Sequence, residues 1–275
     1  MKDSINTMID ALAEKVPKAE EEYLGSDGLL RCAKCHAKTE TEVIHPFSKE
    51  VRKVRCKCAC KSDYNQFEDR QAQEELDRKR SICFAESNMA SWTFENDDRK
   101  NPTLSDAMKR YADNFTEFKK DGKGLILYGE CGTGKTYLSA CVANRLIDKG
   151  YRVYMTNFSR LANHLHGMRE GKQTFLDSLN QYSLLIIDDL GAERNTEYMV
   201  EQVFNVIDGR YRSGLPMIIT TNLSAEELKK PQSVEYARIY DRVLERCHPI
   251  KVDGVSRRRE TLKNDFGEMQ RKLGL

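Results

Sequence analysis

From residue 124 onward, short apolar runs alternate with longer amphipathic stretches. GLILYG (124–129), YRVYMTN (151–157), SLLIIDDLG (183–191) and PMIITTNL (216–223) read as strands, the first and third of them buried. Between them KTYLSACVANRLIDKG (135–150), SRLANHLHGM (159–168), TFLDSLNQ (174–181) and EYMVEQVFNVIDGRYRSG (197–214) read as helices, the first closed by Gly150 and the last ending at Gly214. This β-α alternation predicts an α/β fold, with a parallel sheet carrying helices on both faces.

Upstream, Leu104, Met108, Tyr111 and Phe115 fall at helical spacing. Residues 83–103 form an irregular polar segment holding Trp92 and Phe94. Residues 64–82 are strongly charged with few apolar anchors, which fits a helical linker with a solvated face. Ile5, Met8, Ile9, Leu12 and Val16 mark a short amphipathic helix ending near Pro17, either packing on its own domain or docking a partner.

Of the 275 residues 39% are hydrophobic and 32% charged, a globular mixture long enough for one large domain and one small one. The net charge is only +2, so any contact with nucleic acid must come from local basic clusters. No apolar stretch approaches the roughly 18–20 residues that span a bilayer. The first residues lack the apolar core of a signal peptide, which makes the cytoplasm the default compartment.

Cysteine use divides the chain further. Five of the nine cysteines lie between Cys32 and Cys60, a density that in a reducing compartment points to metal rather than disulfides. CAKC (Cys32, Cys35) and CKCAC (Cys56, Cys58, Cys60) stand on either side of a segment that could form a hairpin, the layout of a zinc ribbon. Cys32 and Cys35 plus two of Cys56, Cys58 and Cys60 would complete four ligands, with His36 and His45 as weaker candidates. Such a site is structural, because four thiolates leave no position open for chemistry. The expected division is an N-terminal helix and zinc-binding domain (1–62), a charged helical linker (63–103) and a nucleotide-binding domain (104–275).

The densest chemistry is in LILYGECGTGKTY. Gly129, Gly134, Lys135 and Thr136 satisfy G-x-x-x-x-G-K-[ST], with a strand before and a helix after. The loop Gly129, Glu130, Cys131, Gly132, Thr133, Gly134 turns backbone N–H groups toward phosphate oxygens, and the following helix start, through Tyr137, adds unpaired donors. Lys135 supplies charge to the β- and γ-phosphates, and Thr136 a hydroxyl for magnesium. Asp188 closes an apolar strand and would complete the magnesium shell; Asp189 follows and could orient or deprotonate the attacking water.

Taken together, GLILYGECGTGKTYLSACVANRLIDKGYRV, SLLIIDDLGAE and MIITTNLS resemble the AAA+ ATPases of the DnaC helicase-loader family and its IstB-like transposition relatives, over roughly residues 85–265. The resemblance implies an ATP- and Mg²⁺-dependent ATPase that self-associates. Its partners would be a hexameric DnaB-like replicative helicase and single-stranded DNA. It also implies roles for residues. Asn222 matches the polar sensor of the γ-phosphate, and Arg242 and Arg246 both match the finger offered to a neighbouring subunit. Arg258, with Arg257 beside it, matches a second sensor. Trp92 and Phe94 resemble an aromatic segment near the adenine pocket, with core packing as the alternative. Many AAA+ proteins carry Glu where this chain has Asp189, a shorter side chain that suits slow, switch-like hydrolysis. Small N-terminal domains of loader-like proteins contact the helicase.

Basic clusters occur at residues 49–61 and 257–259; the first could meet phosphates or an acidic protein face, although solvated surface charge is the commoner explanation. Phe158, Arg160 and His164 follow the second strand and would suit sequence-tolerant single-strand binding, with Phe158 otherwise in the core. The rival readings are a transposase-assisting ATPase, a nucleotide-gated scaffold with negligible hydrolysis, and a small-molecule kinase, the last disfavoured by Asn222 and the distal arginines.

Overall fold

The structure, a computed structural model, describes residues 21–44, 49–56, 63–85, 88–192, 196–231 and 233–257, with 259, 266 and 269–273 beyond, and backbone alone at 63–68. The helix expected before Pro17, and His45, Cys58, Cys60 and Arg258, lie outside the described residues. The chain divides into two compact units, Met1–Glu75 and Leu76–Leu275.

In the first unit β1 (Glu22–Leu24) pairs antiparallel with β2 (Leu30–Cys32), and β3 (Glu40–Ile44) with β4 (Val51–Arg55). The second pair is the hairpin expected between the cysteine groups. A backbone bond joins the two hairpins, Thr39 donating to Leu30 O at 2.8 Å, and Cys56 extends the second by donating to Thr39 O at 3.0 Å. The Arg55 guanidinium forks onto both carboxylate oxygens of Glu22, at 3.0 and 2.9 Å. The buried apolar residues described here are Leu29 and Cys32, a small core for a unit of this length. Helix α1 (Asp63–Phe84) follows, and the division between the units falls within it.

The second unit carries the alternation. Helix α2 (Pro102–Asp113) starts with Pro102 after Asn101, whose side chain accepts from Leu104 N. Asn114 then breaks the single helix expected there into two, and α3 (Phe115–Asp121) follows. From there the order is β5 (Gly124–Tyr128), α4 (Lys135–Asp148), β6 (Val153–Asn157), α5 (Phe158–Gly167), α6 (Lys172–Leu179), β7 (Leu184–Leu190), α7 (Glu197–Ser213), β8 (Met217–Thr221), α8 (Ala225–Lys229), α9 (Val234–Arg246) and β9 (Cys247–Lys251). The strands form one parallel sheet in the order β6-β7-β8-β5-β9.

Strand residues point alternately to the two faces, and both faces are covered. Leu125, Leu127, Leu184, Ile186 and Ile218 pack with α2 and α4 on one side. Ile126, Leu185, Ile187, Met217 and Ile219 pack with α5, α7 and α9 on the other. The fifth strand, CHPIK, went unread in the sequence because His248, Pro249 and Lys251 interrupt any apolar run. Among the described residues it pairs with β5 alone, at the sheet edge, where a proline is tolerated.

One buried cation stitches this unit together. Arg210 is wholly inaccessible to solvent and donates to Pro216 O at 3.2 and 2.7 Å, Tyr182 O at 2.9 Å, Ser183 O at 3.1 Å and Leu179 O at 3.5 Å. It ties the end of α7 to the turns that start β7 and β8. Among the described residues no helix is long and apolar enough to cross a membrane.

Candidate phosphate-binding site

The site stands at the carboxyl end of β5, where ligands bind in open α/β sheets. Gly129 leaves the strand with φ 137° and lies against the Val252 backbone, so close that an added Cβ would fall 2.6 Å from Val252 O. Gly134, at φ 101°, caps α4 and aims the free N–H groups of its first turn at the loop. Lys135 is the first residue of that helix and only 5% exposed. Its ammonium donates to Gly129 O and Glu130 O, both at 2.7 Å, and to Asn222 Oδ1 at 2.8 Å. Thr133 Oγ1 donates to Glu130 O at 2.9 Å, closing the turn. Cys131 is exposed on it as a free thiol.

The acidic pair sits one strand beyond β8. Thr136 Oγ1 donates to Asp188 Oδ1 at 2.9 Å. A hydroxyl and a carboxylate oxygen brought together in this way are the hard donors that magnesium takes, so these residues fit the ion. Burial pushes the Asp188 carboxyl up from its ordinary pKa, against hydrogen bonds from Thr220 and Thr136 that favour the charged form. Asp189 has φ 63°, left-handed for a residue with a Cβ. Its Oδ1 accepts from Asn222 Nδ2 at 2.9 Å. Lys135, Asn222 and Asp189 therefore form one chain of hydrogen bonds, with the Asn222 amide accepting at one end and donating at the other.

Two residues of this strand end had no signal in the sequence. Thr220 Oγ1 donates to Asp188 Oδ1 at 2.6 Å and accepts from Asp189 N at 2.9 Å. Thr221 Oγ1 donates to Leu190 O at 2.6 Å. Threonine suits a strand for its branching alone, so only the pairing of β7 with β8 reveals the second use.

The chain returns to the loop near its end. Arg257 N donates to Gly132 O at 3.0 Å, and its side chain pairs with Asp98 at 3.2 Å. Arg257 thus lies on the phosphate loop; Arg258, the expected second sensor, is outside the described residues. A cleft of about 700 Å³ opens beside the loop, lined among others by Glu130, Thr133, Asn222, Glu226 and Asp253.

The remaining candidates fall elsewhere. Phe94 is buried, and Trp92 packs on Tyr137 with ring centroids 5.6 Å apart. Tyr137 OH donates to Thr93 O at 3.0 Å, and Asn144 Nδ2 to Trp92 O at 2.8 Å, so α4 holds this segment. Phe158 is 2% exposed and packs in the core, which removes it as a stacking platform; Arg160 and His164 are exposed. Arg242 and Arg246 lie on α9, facing α7. Arg242 Nε is 2.9 Å from Asp208 Oδ1 and its guanidinium sits over Phe204. Arg246 sits over Tyr211, and the Nε atoms of both arginines are buried without a well-aligned hydrogen bond among the described residues.

In the first unit Cys32 is buried, Cys35 and Cys56 are half-buried, and all three are free of disulfides. His36 Nδ1 and Tyr23 OH are hydrogen-bonded at 3.0 Å. Burial pushes the Cys56 thiol up, and Cys56 Sγ donates to Lys38 O at 3.3 Å. Among the described residues no three His, Cys, Asp or Glu side chains gather as a metal site.

Residues 95–264, more than half the chain, match the family described as IstB-like ATP binding protein. The chain is 31% identical over 194 residues to the replicative helicase loader DnaI of Bacillus subtilis, covering 64% of this chain and 61% of that one. It is 27% identical over 175 residues to an ATP-binding protein of an insertion sequence in Mycobacterium tuberculosis, covering 62% and 69%. The chain thus spans about three fifths of the length of the DnaI it matches. Among solved structures, the crystal structure of DnaI superposes with a TM-score of 0.54 at 26% identity, over 66% of this chain and 99% of that one.

Proposed function

Because the chain belongs to the IstB-like ATP-binding family, we propose that it binds ATP with magnesium, hydrolyses it slowly, and uses the cycle to load a hexameric replicative helicase onto single-stranded DNA. The observation that carries the nucleotide half is the continuous network Lys135–Asn222–Asp189 beside Thr136–Asp188. The ammonium that would meet the β- and γ-phosphates is already wired to the side chains that would meet the attacking water. The likeness to a protein named as a replicative helicase loader supports the loading half.

In this reading the loop amides and Lys135 bind the phosphates. Thr136 and Asp188 hold magnesium, which when bound supplies positive charge to the phosphate oxygens. Asn222 orients the water, and Asp189 accepts its proton through the carboxylate that Asn222 now holds. Tyr137 and the loop residues Glu130 to Thr133 shape the pocket rather than react. Arg257 or Arg258 senses the phosphates from the C-terminal return of the chain. Arg246 is the finger donated to a neighbouring copy, because Arg242 is committed to Asp208 within its own subunit. Cys32 and Cys35, with two of Cys56, Cys58 and Cys60, hold a structural zinc in an N-terminal domain (1–62) that docks the helicase. A helical linker (63–103) joins that domain to the ATPase domain (104–275).

The insertion-sequence relative favours a second reading, an ATPase that assists a transposase. Co-purification with a DnaB-like helicase, with and without ATP, separates the two. Capture that depends on ATP, with turnover stimulated by single-stranded DNA, is the expected result. Capture of a transposase and not the helicase would reassign the function and leave the nucleotide chemistry intact.

A further inference from the structure

Strand β7 pairs in register with β8 as far as Ile187, which faces Ile219, and resumes with Leu190 facing Thr221. Between those pairs two residues, Asp188 and Asp189, stand opposite one, Thr220. This is a β-bulge, a device that re-aims a side chain beside a working site. The extra residue is Asp189, and its left-handed backbone at φ 63° is the strain the bulge carries. A residue with a Cβ does not stay there unless its surroundings hold it.

Thr220 is what holds it. Its hydroxyl is 1% exposed as a residue and makes two bonds at once: it donates to Asp188 Oδ1 at 2.6 Å and accepts the N–H of Asp189 at 2.9 Å. The hydroxyl proton fixes the carboxylate oxygen that also accepts from Thr136. The lone pair gives the Asp189 amide, inside the bulge, a hydrogen-bond partner. A valine would fill the same space on this buried strand and do neither. We propose that Thr220 is a positioning residue for phosphoryl chemistry, its single hydroxyl setting the Asp188 carboxylate for magnesium and the Asp189 backbone for water. The inference rests on the ATPase reading above. It adds a third side chain to the acidic pair, one that touches neither nucleotide nor metal. Outer partners of this kind change metal affinity or activity about ten- to a hundredfold when removed.

The test is a titration of full-length protein with a fluorescent ATP analogue, in EDTA and against increasing magnesium, alongside phosphate release. For Thr220→Val the expected result has two parts. Affinity in EDTA stays within about twofold of the parent, while the magnesium concentration for half-saturation rises about tenfold and kcat falls by about tenfold or more. Thr220→Ser, which keeps the hydroxyl, restores both. Thr220→Ala, smaller and free of steric demand, serves if the valine variant does not fold, with the same expectation. Equal loss of affinity with and without magnesium, or a serine variant as impaired as the valine, would show a packing role and overturn the inference. Failure of the unaltered protein to bind the analogue at all would instead sink the ATPase reading on which it stands.

Discussion

The ammonium of Lys135 lies 2.8 Å from Oδ1 of Asn222, 87 residues further along the chain. The same amide then donates to Asp189 at 2.9 Å. In the proposed ATPase cycle a phosphate arriving at Lys135 would compete for the proton donor that Asn222 accepts from. Loss of that bond would free Asn222 to turn, which would couple binding of the phosphate tail to alignment of the hydrolytic side.

Lys135→Ala and Asn222→Ala should therefore separate cleanly. The lysine variant loses ATP affinity by roughly ten- to a hundredfold, as expected for a charge-assisted contact. The asparagine variant binds within a few-fold of the parent but turns over about a hundredfold more slowly, as expected when a donor to developing charge is lost. Equilibrium binding and phosphate release on the same preparations check both.

Arg242 and Arg246 should differ in kind. Arg246→Ala keeps ATP binding and loses turnover by at least about a hundredfold. Arg242→Ala instead breaks the ion pair with buried Asp208 and lowers Tm. Mixing inactive Arg246→Ala with inactive Lys135→Ala should restore turnover, since each copy supplies what the other lacks. A mixture that stays inactive would count against donation between copies.

Arg210 should dominate the stability of the larger unit. Burial pushes its pKa down to about 10, yet it keeps its charge at neutral pH and is held by carbonyls alone among the contacts described. Arg210→Met leaves those buried acceptors unsatisfied and should cost roughly 3–5 kcal/mol, read by urea unfolding.

Asp113 should give a pH-dependent term. Hydrogen bonding to Lys149, with Arg145 beside it, holds its carboxyl below the ordinary carboxylate value. A depressed folded pKa contributes stability above the unfolded value, near 3.8, and loses it as pH falls through the folded one. The group is partly exposed, so Asp113→Asn should cost only about 0.5 kcal/mol at pH 7. The difference from the parent should vanish below the folded pKa, as followed by thermal unfolding across pH.

The zinc proposed for the smaller unit is tested by elemental analysis of purified protein. About one equivalent per chain is expected, and chelation should unfold that unit first.

Much of the larger unit was legible because its strands are buried on both faces, which leaves unbroken apolar runs such as LLII before Asp188. The phosphate loop was legible for a related reason: φ above zero and close backbone approach demand glycine at particular places. Three things were hidden. CHPIK carries no pattern because an edge strand needs none. The break at Asn114 depends on a cap rather than on periodicity. Thr220 reads as an ordinary strand residue, since its partners stand 31 and 32 residues away and meet it only through a bulge. The two candidate arginines were indistinguishable in sequence, four residues apart on one helix face. Only the position of Asp208 on another helix tells them apart.

The chain contains one tryptophan. Trp92 rests on Tyr137, the residue after Thr136, and its carbonyl is pinned by Asn144 two turns down the same helix. Tryptophan emission, excited at the red edge where tyrosine does not absorb, consequently originates at a single spot, packed against the first turn of α4. This indole is an optical gauge on the helix behind the proposed nucleotide site, and stopped-flow mixing with ATP can read it in real time without any dye.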